Sequence, residues 1–353
     1  MIAAPAHMRA LTFQPLVRGS ARVEEIPVPA PEEGSILVQT MRVGVCGTDR
    51  ELLAAEHGAP APGRERMVLG HESLGRVLDA PTGSGFAVGD LVVGIVRRPD
   101  PVPCGCCAAG EWDMCENGLY TERGIRGLDG FASELFRIEP AFCVRVDPAL
   151  GDLGVLLEPA SVAAKAWEHI DRIGARSAFR PRRLLVTGAG PIGLFAALLG
   201  TQRGLEVHVF DRNETGPKPA LVRGLGATHH GVLDAALAPD IAIECTGVSS
   251  IVLDTMGSTR ANGITCLTGL SEPGRECAVD VGAFNRSMVL SNQVVLGAVN
   301  ANRRHYEQAA VALARADRAW LAAMISRVEP LDHWEAALDH RKGDVKVVIE
   351  LAR

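Results

Sequence analysis

The chain of 353 residues is long enough for two domains that each bury a substantial core. Its formal net charge is −6 and 22% of its residues are charged, so it lacks the basic excess typical of nucleic-acid-binding proteins. No apolar run approaches the roughly 20 residues that cross a bilayer, and the first seven residues lack the apolar core of a signal peptide. We therefore expect a cytoplasmic protein without nucleic-acid or membrane partners.

The N-terminal part, residues 1–157, is predicted to be a β-rich domain. Short apolar runs such as Ile36–Val38, Val68–Leu69 and Leu91–Val96 alternate with Gly, Pro and Asp residues that favour turns. This pattern is typical of a small barrel-like domain rather than of a parallel sheet.

Candidate metal ligands lie at three places in this part of the chain. Cys46 follows the strand predicted over Ile36–Val45, His71 and Glu72 lie 25 and 26 residues further on, and Glu158 opens a predicted helix. Taken singly, they are explained by a buried thiol, a surface turn and an acid favoured by the helix dipole. Together, one thiolate, one imidazole and one or two carboxylates suit a tetrahedral zinc ion with an open position, as in catalytic zinc sites.

A cluster of cysteines is a second candidate metal site. In a reducing compartment, the nine cysteines of this chain favour metal ligands or buried thiols over disulfides. The cluster consists of Cys104, Cys106, Cys107 and Cys115. Four cysteines in so short a segment indicate metal binding there.

Residues 158–302 are predicted to form a second domain with a doubly wound parallel sheet. The strand candidates are Leu184–Thr187, Val207–Phe210, Ile241–Glu244, Ile264–Leu267 and Val294–Gly297. The helical segments between them are Pro219–Leu225, Ile251–Thr255 and Val281–Ser287. This alternation predicts an α/β fold. We expect Arg172–Pro181 to be a connector, and residues 303–353 to contain two helices and a final strand, Val345–Leu351, that returns to the first domain.

A glycine motif directly follows the first strand of that sheet. The residues that we expect to bind a cofactor here are Gly188, Gly190, Pro191, Ile192 and Gly193. The order of strand, glycine turn, helix and second strand is typical of a dinucleotide-binding unit. The first glycine permits the turn, the second lets backbone amides approach a pyrophosphate, and the third lets the helix pack closely on the strand. The helix N-terminus then offers N–H groups to the phosphates.

The choice between NAD and NADP stays open. Asp211 ends the second strand, 18 residues after Gly193, where an acid usually accepts the ribose hydroxyls of NAD and repels a 2′-phosphate. Arg212 follows it and could stack on adenine or pair with a phosphate. The strand Ile241–Glu244 would bring Thr246 to the same crevice, because ligands bind at the carboxyl ends of such strands.

Several motifs resemble those of medium-chain zinc alcohol dehydrogenases, and more narrowly those of the glucose 1-dehydrogenase branch. The resemblance covers nearly the whole chain and rests on residues 45–51, 70–72, 96–99, 110–115, 119–125, 156–159, 188–193 and 299–305. It implies a Rossmann domain joined to a β-rich, GroES-like catalytic domain. It also implies a homo-oligomer, a dimer or tetramer, in which an edge strand such as Val294–Gly297 could pair between subunits.

The resemblance also implies roles for individual residues. Cys46 and His71 would bind the catalytic zinc, and Glu72 and Glu158 would be direct or water-bridged ligands. Thr48 lies where the family keeps a hydroxyl that relays the substrate proton.

Three further roles concern the substrate and the nicotinamide. Glu122 and His305 match sugar-contacting positions of the branch, and Asn300 lies where the family approaches the nicotinamide.

The structural zinc of the family is bound by four cysteines with the spacing C-x2-C-x2-C-x7-C. The last three positions are matched by Cys104, Cys107 and Cys115. The first position falls on Pro101, so that ligand is absent. Asp100 could complete the site, Cys106 could replace a neighbour, or the segment could be metal-free.

The resulting hypothesis is zinc-dependent oxidation of the anomeric hydroxyl of an aldose, most readily D-glucose to gluconolactone, with NAD or NADP as hydride acceptor. The nearest alternative is a related polyol or aminocyclitol dehydrogenase. A zinc-free quinone reductase is disfavoured by the joint presence of Cys46, His71 and Glu158. A cofactor-binding scaffold or redox sensor is the alternative from another class, and the cysteine cluster would suit it.

Overall fold

The computed structural model describes residues 5–274 and 276–352, and the chain divides into two compact units. The first unit combines the residues up to Glu158 with those from Asn300 onward, and the second is Pro159–Val299.

The first unit is β-rich up to Glu158. Its strands there are β1 (His7–Phe13), β2 (Arg22–Pro27), β3 (Ile36–Val45), β4 (Met67–Val68), β5 (Glu72–Asp79), β6 (Leu91–Gly94), β7 (Arg97–Arg98), β8 (Thr121–Arg123), β9 (Gly127–Leu128), β10 (Leu135–Ile138) and β11 (Cys143–Arg145). The helices there are α1 (Gly47–Leu53), α2 (Gly105–Ala108) and 3-10 segments at Pro31–Glu33, Trp112–Met114, Pro140–Phe142 and Pro148–Leu156.

The segment that follows alternates helices and strands. Its helices are α3 (Leu157–Gly174), α4 (Pro191–Gln202), α5 (Pro217–Gly224), α6 (Ser249–Met256), α7 (Val281–Ser291) and a 3-10 turn at Ala235–Leu237. Its strands are β12 (Arg183–Thr187), β13 (Glu206–Phe210), β14 (Thr228–His230), β15 (Ile241–Glu244), β16 (Ile264–Leu267) and β17 (Val294–Gly297). The C-terminal elements are α8 (Arg303–Arg315), α9 (Arg318–Met324), β18 (Ile325–Pro330), a 3-10 turn at Leu331–His333, α10 (Trp334–Leu338) and β19 (Lys346–Glu350).

A seven-stranded sheet organises the first unit, with the order β11-β6-β5-β3-β19-β18 and with β10 paired to β3. Two smaller sheets have the orders β2-β1-β4 and β7-β8-β9. Phe13, Phe131 and Phe136 are fully or almost fully buried in the core of the first unit. The late strand β19 lies antiparallel to β3, with Val347 opposite Val45. Residues far apart in sequence therefore meet beside the start of α1.

The second unit is built on a parallel sheet with the order β14-β13-β12-β15-β16-β17. This is the order of a doubly wound dinucleotide-binding sheet. Helix α4 is apolar and almost entirely buried, because it packs closely on the first strand of that sheet. The predicted fold class, a Rossmann sheet plus a β-rich GroES-like domain, is confirmed.

The elements differ from the sequence-based expectation in four places. The C-terminal segment has a third helix, α9, in addition to the two that were expected. β14, with the polar sequence Thr228–His230, has no apolar signal and forms an edge strand. β18 alternates charged and apolar residues and is an edge strand of the seven-stranded sheet in the first unit. The expected connector Arg172–Pro181 was placed too early, because α3 continues to Gly174.

Among the described residues, none of the helices combines the length and the apolar character that a bilayer crossing requires.

Candidate active site and cysteine lobe

Cys46 occupies the N-cap of α1, directly after β3. Its sulfur accepts the backbone N–H of Thr48 at 3.3 Å, and its own N–H donates to Oδ2 of Asp49 at 2.9 Å. Asp49 is buried. These reciprocal bonds form a capping box, which fixes the end of the strand and the direction of the thiol.

His71 lies against Cys46. Its Nε2 is 3.1 Å from the Cys46 sulfur, and its Nδ1 is 3.2 Å from Oδ1 of Asp49. Gly70 places the histidine there, because its φ is +90° and a Cβ would lie 2.7 Å from Cγ1 of Val43. A carboxylate on Nδ1 orients the ring so that Nε2 can bind a metal.

The charge state of His71 reflects these neighbours. Burial acts to lower the pKa of His71, but Cys46 and Asp49 outweigh it and raise that pKa well above its usual value. The imidazole therefore lies in a strongly negative environment, which also favours a metal cation.

Two carboxylates lie on the other side of His71. Ligand atoms of His71, Glu72 and Glu158 lie within 4.8 Å of one another. Glu158 is buried at the start of α3, and burial together with the nearby Glu72 raises the pKa of Glu158 to about 7. Such crowding of buried acids requires cations nearby.

Glu72 has its own cation, Lys346 of β19. The Lys346 Nζ lies 2.7 and 2.6 Å from the two oxygens of Glu72 and donates to the Val45 carbonyl at 3.1 Å. Burial acts to lower the pKa of Lys346, but Glu72 outweighs it and the pKa is raised. The Glu72 carboxylate is thus neutralised by a fully buried ammonium group.

The donor set around His71 fits a zinc ion. His71 shares one cluster of possible ligands with Cys46 and another with Glu158, and zinc accepts thiolate, imidazole and carboxylate ligands. Asp49 already binds the His71 ring, and Glu72 is paired with Lys346. Three protein ligands would leave one position open, as in catalytic zinc sites.

Glu122 of β8 belongs to a hydrogen-bonded network. Its Oε1 accepts from Nε and Nη2 of Arg97, both at 3.0 Å, and from Nδ2 of Asn300 at 2.7 Å. The Arg97 guanidinium stacks on Tyr120, 3.7 Å from the ring centre. The predicted sugar residue Glu122 and the predicted nicotinamide residue Asn300 are therefore in direct contact, and none of these bonds uses Oε2 of Glu122.

His305 lies in a different group of contacts. It is fully buried in the first turn of α8, and its Nδ1 accepts the N–H of Asn302 at 2.9 Å. Asn302 in turn donates to Oδ1 of Asp113 at 2.8 Å and to the Gly110 carbonyl at 2.7 Å. His305 thus takes part in anchoring α8 to the segment between Cys107 and Cys115.

The glycine loop between β12 and α4 has the geometry of a dinucleotide site. Gly188 has a φ of +94°, which permits the turn. A Cβ on Gly193 would lie 1.9 Å from the Gly188 carbonyl oxygen, whereas a Cβ on Gly190 would meet nothing within 4 Å. Gly190 therefore faces open space at the N-terminus of α4, whose first residues are Pro191 and Ile192. A pyrophosphate fits there.

Asp211 holds this loop in place. Its Oδ2 accepts the Ala189 N–H at 2.9 Å, and its Oδ1 accepts the backbone and side-chain N–H groups of Asn213 at 2.9 and 2.6 Å. Burial acts to raise the pKa of Asp211, but these bonds and Lys218 outweigh it and lower that pKa. Arg212 is exposed beside it.

Thr246 follows β15 and is held by Glu244. The fully buried Glu244 carboxylate accepts the Thr246 N–H at 2.6 Å and the Gly247 N–H at 3.2 Å. It orders the turn at the carboxyl end of the strand.

Sequence reasoning missed three organising residues. Asp49 carried a signal, because an acid three residues after an N-cap is a capping pattern. Lys346 and Glu244 had only a weak signal: Lys346 is a charged residue at the start of an apolar strand, and Glu244 is one at the end of another.

We define the cysteine lobe as residues 100–117. The sulfur atoms of Cys104, Cys107 and Cys115 lie within 4.8 Å of one another. Backbone N–H groups of Cys107 and Glu116 donate to the Cys104 sulfur, each at 3.4 Å, and together with other N–H donors they lower the pKa of Cys104 to about 7. Burial raises the pKa of Cys107 to about 11. The structure thus brings together three of the four clustered thiols.

The chain matches two protein families over most of its length. Residues 32–148 match the family described as the alcohol dehydrogenase GroES-like domain, and residues 151–351 match the glucose dehydrogenase C-terminus. These matches, with the sheet order and the site described above, define a medium-chain dehydrogenase.

Individual relatives narrow the class. Glucose 1-dehydrogenase from Methanocella arvoryzae is 38% identical, over 98% of this chain and 99% of that protein. Glucose 1-dehydrogenase from Haloferax mediterranei is 35% identical, over 95% of this chain and 98% of that protein. A structure described as Haloferax mediterranei glucose dehydrogenase in complex with NADP, Zn and gluconolactone superimposes with a TM-score of 0.89 at 33% identity, over 98% of this chain and 100% of that chain. The chain belongs to the glucose dehydrogenase family, as the resemblance predicted.

Proposed function

We propose that this protein oxidises the anomeric hydroxyl of an aldose, D-glucose foremost, and transfers the hydride to NAD or NADP. The observation that carries this proposal is that His71 belongs to two clusters of possible metal ligands, one with the half-buried Cys46 and one with the buried Glu158, in a chain of the glucose dehydrogenase family. The named relatives are glucose 1-dehydrogenases, and one was solved with NADP, Zn and gluconolactone.

The metal-site residues divide into ligands and positioning residues. Cys46, His71 and Glu158 would hold zinc, which when bound supplies Lewis acidity that lowers the pKa of the substrate hydroxyl. Asp49 orients the His71 ring through its 3.2 Å contact. Glu72 is held by Lys346. It would bind the metal, directly or through water, only after that ion pair loosens.

Thr48 would carry the proton away from the substrate hydroxyl. It is the second residue of α1, and its backbone N–H already bonds the Cys46 sulfur. A hydroxyl can accept one proton while it donates another, so it suits a relay.

Glu122, Asn300 and His305 are the proposed substrate and nicotinamide residues. Oε2 of Glu122 would accept a sugar hydroxyl, since Arg97 and Asn300 donate to Oε1. Asn300 would connect sugar recognition to the nicotinamide. His305, in the first turn of α8, would contact the sugar.

The dinucleotide would bind along the second unit's glycine loop. Gly188, Gly190 and Gly193 would admit the pyrophosphate, with Pro191 and Ile192 at the helix N-terminus. A bound nicotinamide would supply the acceptor for the hydride of the anomeric carbon.

Three further residues would contact the adenosine part of the dinucleotide or line its crevice. Asp211 and Arg212 would contact the adenosine ribose or its phosphate, and Thr246 would line the crevice at the end of β15.

The test is nicotinamide reduction, followed by absorbance, with zinc-loaded protein. Aldoses, polyols, aminocyclitols and simple alcohols are each assayed with NAD and with NADP. We expect the highest kcat/KM with glucose. Activity confined to a polyol or aminocyclitol would keep the zinc chemistry and replace the substrate.

A pair of cysteine variants separates an enzyme from a cofactor-binding scaffold. Cys46→Ser should abolish turnover while cofactor binding, followed by fluorescence, is retained. Cys277→Ser is the matched control, because Cys277 is an exposed thiol outside the site. Equal activity of the Cys46→Ser and wild-type proteins would contradict the assigned metal site.

We also propose that the protein is a homo-oligomer that associates through the β17 edge of its parallel sheet. β17 has a neighbour on one side only, and α7 beside it exposes Val281, Val289 and Leu290 at 70%, 66% and 68%. An open strand edge next to apolar residues favours pairing with a second copy. Sedimentation velocity of the wild-type and Val295→Pro proteins tests this, since proline removes a ladder donor.

A cytoplasmic location completes the proposal. All nine cysteines are free thiols, and three of them lie close together without being joined. This agrees with a reducing compartment. Fractionation of cells that express the tagged protein would test it.

A further inference from the structure

We propose that the cysteine lobe holds one zinc ion through the thiolates of Cys104, Cys107 and Cys115 and leaves the fourth coordination position to a solvent molecule. This site is independent of the catalytic one. It also differs from the closed four-cysteine site of the family that the chain resembles.

The first step is that three sulfur atoms already converge. Cys104 caps α2, Cys107 lies one turn later, and Cys115 follows the 3-10 segment Trp112–Met114. The three sulfurs lie within 4.8 Å of one another although the last is 11 residues from the first. A zinc ion about 2.3 Å from each sulfur would bridge this spacing after small adjustments.

Asp100 does not supply the fourth ligand. Its Oδ1 accepts the Val102 N–H at 2.8 Å, and its Oδ2 accepts Nδ2 of Asn117 at 2.8 Å. The side chain is buried, and its oxygens are not within reach of all three sulfurs. Asp100 therefore closes the loop and does not bind the metal.

No other side chain takes its place in the described part of the chain. Pro101, at the position of the family's first cysteine, has no donor atom. Cys106 lies within α2, and its sulfur does not join the group of three. Among residues 5–274 and 276–352, no carboxylate, imidazole or further thiol completes this cluster.

Backbone N–H groups prepare two of the three thiols for a cation. The Cys107 and Glu116 N–H groups donate to the Cys104 sulfur, and the Asp100 N–H donates to the Cys107 sulfur. Hydrogen bonds of this kind favour the thiolate, the form that binds metals. The same bonds fix the positions of Cys104 and Cys107, and Cys115 lies within 4.8 Å of both sulfurs.

An open position changes how the zinc exchanges. Structural zinc normally has four protein ligands, and sites with three protein ligands keep a position for water. A chelator can enter through that position and form a ternary complex before any thiolate leaves. The lobe zinc should therefore be released much faster than zinc from a four-cysteine site.

X-ray absorption at the zinc edge tests the ligand set. The Cys46→Ser/His71→Ala variant removes two proposed ligands of the catalytic site, so that the remaining zinc reports on the lobe. We expect one zinc per chain with three sulfur neighbours and one oxygen neighbour. Four sulfur neighbours, or no zinc, would overturn the proposal.

Release of zinc to a coloured chelator tests the open position. Pro101→Cys, which restores the family spacing, should add a fourth sulfur and slow the release by an order of magnitude or more. Cys106→Ser and Asp100→Asn should leave the sulfur count at three. Loss of a sulfur in Cys106→Ser, or of the oxygen neighbour in Asp100→Asn, would refute the assigned ligands.

If circular dichroism shows that the Cys46→Ser/His71→Ala variant does not fold, a second comparison replaces it. The difference between the wild-type and Cys115→Ser zinc spectra and stoichiometries then reports on the lobe. One zinc fewer in Cys115→Ser is expected, and an unchanged stoichiometry would refute the proposal. Turnover is not measured, so these outcomes are separate from those for glucose oxidation.

Discussion

Lys346 is the residue on which the buried charge balance of the metal site depends. It places an ammonium group against both oxygens of Glu72 in a region that excludes water. Breaking a buried ion pair by removing one partner leaves an uncompensated charge, whereas removing both partners costs much less.

We therefore expect Lys346→Met to lower the free energy of unfolding by about 3–5 kcal/mol. Urea unfolding of the zinc-free protein measures this. The Glu72→Leu/Lys346→Met variant is the control and should recover most of the loss. If the double variant were as unstable as Lys346→Met, packing rather than charge would explain the effect.

The ligand positions could be predicted from the sequence, but this pairing could not. Cys46, His71 and Glu158 each follow or begin an element with a clear pattern, so their chemistry was visible. The partners Glu72 and Lys346 are separated by 274 residues. Only the sheet register, which aligns β19 with β3, brings them together.

Two glycines at the start of α4, the N-cap Gly190 and Gly193 in the first turn, have different physical roles. Gly193 lies where any Cβ would collide with the Gly188 carbonyl, and Gly190 faces open space. Gly193 is required by the packing of the helix on the turn. Gly190 is required by the ligand that occupies the space in front of α4.

Two substitutions should separate these roles. Gly193→Ala should lower stability by about 1–3 kcal/mol, because a backbone contact must move apart. Gly190→Ala should leave the thermal midpoint nearly unchanged and weaken cofactor binding in fluorescence titrations. Unaltered cofactor affinity in a stable Gly190→Ala protein would argue against a pyrophosphate at this place.

The pair of β18 and β19 carries an ion pair that gives the fold a pH dependence. Arg327 of β18 donates to Asp344 at 2.8 Å from Nη2 and 3.1 Å from Nε. Burial acts to raise the pKa of Asp344, but Arg327 outweighs it and that pKa is lowered. The stabilisation is therefore present above the unfolded pKa and is lost as pH falls through the lower folded value.

Asp344→Asn should cost about 1–2 kcal/mol at neutral pH and progressively less as the pH falls below the ordinary range of an aspartate. Urea unfolding at a series of pH values measures the difference. Asp339→Asn is a suitable control, since its side chain is 66% exposed in the same segment. A difference independent of pH would show that the charge of Asp344 is not the cause.

At the scale of the whole molecule, the two units divide the chemistry. The clusters of possible metal ligands found among the described residues all lie in the first unit, and the glycine loop lies in the second. Metal loss should therefore affect catalysis and leave dinucleotide binding in place.

Dialysis against a strong chelator should abolish glucose oxidation, and added zinc should restore it. Cofactor affinity, measured by fluorescence before and after dialysis, should stay within a factor of about two, because the clusters of possible metal ligands among the described residues lie in the first unit and not at the glycine loop. A large fall in cofactor affinity on metal removal would contradict this division.

The sequence predicted this division because each unit has its own periodicity, with short alternating strands in one and strands alternating with helices in the other. It was less informative where the elements are short or polar, as in β14, whose residues Thr228–His230 carry no apolar pattern. The sequence also left the fourth ligand of the cysteine lobe open, since both Asp100 and Cys106 are possible zinc ligands and only the folded loop determines which side chains reach the other cysteines.

The pairing of β19 with β3 has a consequence for synthesis on the ribosome. The first unit is discontinuous, so β3 lacks one neighbour and Glu72 lacks its cation until Lys346 has been translated. The segment Pro159–Val299 meanwhile has all the strands of its own sheet and can fold first. A nascent chain stopped before Lys346 would thus carry a formed nucleotide-binding half and an open β-rich half, which limited proteolysis of such truncated chains would detect.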